Sequence, residues 1–120
     1  MEFGNVSWED EIARLDYLES KLREEPDSIA YIIVYGARRG AKRGDTEARM
    51  ACIKDYMLKR RNVQADRIVV MIGGYRQHST VEFWLVRRGE SEPTPKPTVN
   101  PKDVKFIKGK IKNWRGRCNL

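Results

Sequence analysis

At 120 residues, with 40% hydrophobic and 34% charged side chains, the chain is long enough for one modest core and no more. Its longest apolar run, Ile29 to Tyr35, falls far short of the ~20 residues that a membrane-spanning helix needs, and composition excludes collagen, coiled-coil and low-complexity classes. The 24 Lys and Arg outnumber the 17 Asp and Glu, and residues 1–28 alone hold nine acids and three bases, so an acidic start precedes a basic remainder. That polarity suits an anionic partner (nucleic acid, membrane headgroups or an anionic wall polymer), or else a solvated, salt-bridged surface.

Ser7 is a good helix N-cap, and the run Glu9-Asp10-Glu11 reads as capping and solvated surface at a helix start. Trp8, Ile12, Leu15, Leu18 and Leu22 recur at three- and four-residue steps, one apolar stripe on a helix that Pro26 stops near Glu25. Ile29 to Tyr35 is β-branched and aromatic without alternation, the pattern of a strand buried on both faces. A basic glycine loop follows, Gly36 to Gly44, then a helix capped by Asp45 or Thr46 with Ala48, Cys52, Ile53, Tyr56 and Met57 on its apolar face. That helix ends in Lys59-Arg60-Arg61, cations that suit a helix C-terminus.

Ile68 to Ile72 reads as a second buried strand, followed by Gly73-Gly74, so strand, helix and strand make a right-handed βαβ unit. Thr80 to Val86 alternates apolar and polar, as a more exposed antiparallel or edge strand does. Gly89 to Pro101 holds four of the five prolines and reads as an extended linker. Val104 to Trp114 mixes Phe106, Ile107, Ile111 and Trp114 with lysines, either a basic arm or a strand returning to the sheet with a bend at Gly109.

Little in this pattern points to catalysis. The glycine loop sits where phosphate-binding loops occur, yet Gly36 and Gly40 are one residue too close for a P-loop and Lys42 is followed by Arg43 rather than Ser or Thr. His78 is the sole imidazole and no nucleophile elbow accompanies it, so no catalytic residue and no cofactor is assigned. Two cysteines, Cys52 and Cys118, are too few for a disulfide framework and lack metal-ligand spacing. They leave two readings open: one bridge tying the tail to the body, or a core thiol at Cys52 and a free Cys118. The start Met1-Glu2-Phe3-Gly4 lacks the basic and apolar regions of a signal peptide, which leaves a cytoplasmic chain or a mature envelope form.

The order of elements resembles the OmpA-like C-terminal domain family. The helix beginning Trp8-Glu9-Asp10-Glu11, the apolar strand, Glu47-Ala48-Arg49-Met50 through Asp55-Tyr56-Met57-Leu58, Val63 through Ile68, Gly73-Gly74-Tyr75 and Thr80-Val81-Glu82-Phe83 carry the likeness over about residues 3–88. In that family the domain holds peptidoglycan noncovalently, through an Asp after the strand and an Arg in the following helix that grip diaminopimelate. Arg49 falls on the arginine position; the aspartate position holds Arg38 or Arg39.

The resemblance implies an α/β, α+β sandwich fold, a mixed sheet of three to four strands with two helices on one face over residues 1–88; composition adds a Pro-rich linker at 89–101 and a basic tail at 102–120. The expected function is a non-enzymatic binding module of the periplasm or cell envelope. Its partner is an anionic cell-wall component or an envelope protein complex, met through Arg38, Arg39, Lys42, Arg43 and Arg49. Two alternatives use the same features: a basic nucleic-acid-binding domain employing the loop and the lysine tail, and a structural subunit of a larger assembly.

Overall fold

The computed structural model describes residues 1–4, 6–109 and 118. Ser7 caps the first helix as its sequence position suggests, its hydroxyl accepting the Asp10 N–H at 3.2 Å, and helix α1 runs Trp8–Glu24. Strand β1 is the short Glu2–Phe3 segment before it, β2 spans Ser28–Ala37, α2 spans Asp45–Asp55 with a π-helical turn at Tyr56–Arg60, and β3 and β4 span Ile68–Arg76 and Thr80–Arg87.

The four strands form one mixed sheet in the order β1-β4-β2-β3. β2 lies at its centre, parallel to β3 and antiparallel to β4, and β1 closes the far edge antiparallel to β4. A four-stranded mixed sheet with two helices on one face is thus the architecture. Ala30, Ile32 and Val34 of β2 meet Leu15, Leu18 and Leu22 of α1, together with Ile53 of α2 and Met57 just beyond it, in a single buried cluster. Tyr31, Ile33 and Tyr35 alternate to the opposite face, which neither helix covers.

β3 departs from the expected strand in two ways. It is not buried on both faces but is the sheet's last strand, and Val69 and Ile72 are exposed. Nor does it stop at a glycine turn. Register shifts between Val34 and Tyr35, so Gly73 is an extra residue in a bulge and the strand continues to Arg76. Glycine is required there, because a Cβ on Gly73 would meet side-chain atoms of Ile33 and Tyr35 at 2.6 Å.

Helix α2 is not capped by a side chain of Asp45 or Thr46. Gly44 occupies the N-cap with φ +92°, and the Asp45 carboxylate turns back to accept the Lys42 N–H at 2.7 Å. The proline segment is extended, but it is attached to the domain: Thr98 and Val99 N–H groups both donate to the Tyr75 carbonyl, and the Lys96 N–H donates to the Tyr35 hydroxyl oxygen at 3.0 Å. Beyond it, the Lys105 N–H donates to Arg38 O and the Ile107 N–H to Ala41 O, so the first part of the tail lies along the basic loop. Gly109 follows at φ +126°, a bend that suits glycine. Lys110, Ile111, Lys112 and Trp114, part of the segment that the sequence leaves as a basic arm or a returning strand, lie outside the described residues. Cys118 is bonded to Cys52 in a disulfide with Cα atoms 5.6 Å apart, which fixes the end of the tail to α2. No helix among the described residues is long and apolar enough to cross a membrane.

Candidate functional site

A cleft of about 550 Å³ opens where the β2–α2 loop, the first turns of α1 and α2, and the β3–β4 turn converge. The loop brings Arg39, Gly40 and Ala41 to one wall; α2 brings Asp45, Arg49 and Cys52; the opposite side is Trp8 and Glu11 of α1 with His78 and Ser79 of the turn.

Arg49 organises this space. Its Nε donates to Glu11 Oε1 at 3.0 Å, one terminal nitrogen donates to Ser79 Oγ at 2.8 Å and the other to Gly4 O at 3.0 Å. One guanidinium therefore ties α2 to α1, to the chain after β1 and to the β3–β4 turn, with the side chains of Arg49 and Glu11 only 14% and 6% exposed. Burial pushes the Glu11 carboxyl above its ordinary value, and the opposing pull of Arg49 does not cancel that rise. Glu11 is thus no part of a solvated acidic surface. It stands at the apolar spacing of Leu15, Leu18 and Leu22, a signal present in the sequence, and it is tolerated there because Arg49 arrives from another helix.

The five basic residues singled out by the sequence do not form one cluster. Arg39 and Arg49 line the large cleft. Lys42 and Arg43 line a second one of about 260 Å³, with Thr46, Glu47, Tyr75 and Phe106. Arg38 lines neither cleft, and its buried Nε has no hydrogen-bond partner among the described residues. Arg43 stacks on the Phe106 ring at 4.7 Å, and that ring also meets Tyr75 edge-on, so one face of the tail aromatic is already occupied by a cation of its own chain. Among the described residues no carboxylate lies within ion-pair distance of Arg39.

Three features of the large cleft escaped the sequence reading. Trp8 was read as stripe; it packs edge-on to Tyr56 and lines the cleft, and its indole N–H is buried without a partner among the described residues. Ser79 carries no sequence signal at all, since only the fold sets it against Arg49. His78, read as a loop residue without a role, stands at the cleft wall.

The Arg39 guanidinium, with no carboxylate partner among the described residues, lines this space, and a guanidinium matches a carboxylate or other oxyanion. Among the described residues no three His, Cys, Asp or Glu side chains converge as metal ligands would. Comparisons with protein-family models, with curated proteins and with solved structures return no match to this chain.

Proposed function

We propose that this chain is a non-enzymatic binding module of the cell envelope, OmpA-like in type, that holds a carboxylate-bearing wall component in the cleft between the β2–α2 loop and the β3–β4 turn. The observation that carries this reading is Arg39: it faces the cleft beside the fixed Arg49, with no carboxylate of the described chain to neutralise it. Guanidinium groups recognise carboxylates through parallel N–H donors. The resemblance supports the position of the site, because Arg49 stands on the family's ligand-binding arginine. It argues against the family's usual ammonium contact, because a cation stands where that contact needs an acid.

Two features support the envelope reading over the nucleic-acid one. The cations divide between two clefts rather than lining a single track for a phosphate backbone, and Phe106 already carries Arg43 on one face and meets Tyr75 edge-on. The test is sedimentation of the full chain with purified peptidoglycan, set beside retention on duplex DNA, each across a salt series. Binding to peptidoglycan that weakens with salt and is lost in Arg39→Ala, with DNA binding no stronger than that of any equally basic protein, is the expected result. Salt-sensitive DNA binding without peptidoglycan binding would replace this reading by the nucleic-acid one.

A further inference from the structure

We propose that the outer edge of β3 is a self-association site, at which a second copy of this chain adds its own β3 in antiparallel orientation and joins two four-stranded sheets into one. The inference is independent of what the cleft binds. Among the described residues β3 ends the sheet, and its one strand partner is β2. On its other side the proline segment reaches just the end of the strand: both of its backbone bonds go to Tyr75 O, and Pro97 covers Gly74. The outward backbone groups of residues 68–72 have no hydrogen-bond partner among the described residues.

That open stretch reads Ile68-Val69-Val70-Met71-Ile72, without a charge, a proline or a glycine, and Val69 and Ile72 are 36% and 40% exposed. Edge strands are ordinarily protected by charged side chains, and two arginines flank this one, but both point elsewhere. Arg67 donates to the carbonyls of Leu22, Glu25 and Ser28. Arg76 is held by Glu82 at 3.1 Å and Glu2 at 3.3 Å. Among the described residues nothing pairs with this edge, and it is apolar.

The sequence of the edge selects the occupant. A strand added here must be apolar on both of its faces, or it would bury charge against Val69 on one side or Ile72 on the other. A second β3 meets that need. Paired about a twofold axis at Val70, it sets Ile68 opposite Ile72 and Val69 opposite Met71, so every position in the seam is apolar from both copies. The window is symmetric as well, since the proline segment begins to cover the edge at Gly74 and the turn Ala65–Arg67 closes the other end. A seam this short buries little area, and the dimer is correspondingly weak.

Sedimentation equilibrium of the full chain from low to several hundred micromolar tests the proposal, with Ile72→Lys and Trp84→Lys as exposed-site variants. Trp84 is 44% exposed on the sheet face opposite the helices and away from the edge. The expected result is a concentration-dependent species of twice the 14.0 kDa chain mass, its dissociation constant raised at least about tenfold by Ile72→Lys and unchanged by Trp84→Lys. Hydrogen exchange of the natural chain gives a variant-free readout: amides of residues 68–72 slow as concentration rises. A monomer at every concentration overturns the proposal. So does a dimer lost in Trp84→Lys, which assigns association to the face opposite the helices, and so does exchange at 68–72 that ignores concentration.

Discussion

The Nε of Arg49 lies 3.0 Å from Oε1 of Glu11, joining two helices that meet only through the tertiary fold and lining the cleft with their paired charges. Removing one partner of a buried pair leaves the other charged and desolvated, at a cost of about 3–5 kcal/mol. Arg49→Ala also strands the Ser79 hydroxyl and the Gly4 carbonyl. The expected outcome is a loss of about 3–5 kcal/mol in urea denaturation for Arg49→Ala, and a smaller one for Glu11→Gln, whose amide keeps the shape and still accepts a hydrogen bond. A near-neutral Arg49→Ala would mean that this guanidinium is free for ligand and not structural.

Arg39 offers the complementary experiment, because no described carboxylate holds it and its removal costs the fold little. Arg39→Asp exchanges a carboxylate receptor for an ammonium receptor beside the intact Arg49. We expect the variant to gain affinity for stem peptides bearing diaminopimelate while losing affinity for carboxylate-only ligands. Each change amounts to about 1.5–3 kcal/mol, roughly ten- to a hundredfold. Calorimetric titration with both ligand types decides it. Tight, salt-insensitive diaminopimelate binding by the natural sequence would contradict the assignment of Arg39.

The Cys52–Cys118 bridge closes a loop with a sequence separation of 66, which in the chain-entropy model stabilises the fold by about 4 kcal/mol. It also pins the tail whose residues Lys105 and Ile107 bond the basic loop at Arg38 and Ala41. Cys52→Ser with Cys118→Ser should therefore lower stability by several kcal/mol and speed exchange of the Lys105 and Ile107 amides. Mass spectrometry of the non-reduced natural protein checks the premise: two free thiols would remove it.

How much of this was legible beforehand follows from how local each cause is. Ser7, the stripe of Leu15, Leu18 and Leu22, and the β-branched run into Tyr35 are short-range patterns, and they produce α1 and β2 where they stand. Glu11 was read as surface because an acid near a helix start is usually a capping residue, although its spacing from Leu15 and Leu18 placed it on the buried face. What makes it tolerable is Arg49, whose approach depends on how α1 and α2 pack. The Gly73 bulge was hidden for a similar reason: two glycines after an apolar run look like a turn, and only the Ile33 and Tyr35 side chains packed against it show why the strand keeps Gly73. The proline segment has no hydrophobic signal of its own, and its attachment rests on backbone bonds to Tyr75. The loop cations were visible as residues, but their division between two clefts was not, because it depends on where the tail returns.

Tyr56 supplies a pH signature that separates the folded chain from any loosened form. Its hydroxyl donates to Asp16 Oδ1 at 2.5 Å, and its ring packs against Trp8. Burial, then the hydrogen bond to Asp16, pushes the phenol from 10.0 up to about 12, with Arg61 and Arg60 pulling weakly the other way. Tyr35 is raised as well, by burial first and by its hydrogen bond to Glu82, against the Lys96 N–H. In both cases the folded state favours the protonated form more than the unfolded chain does. The stability each contributes is therefore complete below pH 10.0 and is lost as pH rises through the folded-state value. Ultraviolet titration of phenolate should show two of the five tyrosines ionising late, and Tyr56→Phe should remove one of them. That variant should lose about 1 kcal/mol at neutral pH and then decline less steeply than the natural chain in alkali. All five tyrosines titrating together while the chain remains folded would show that neither hydroxyl is held as described.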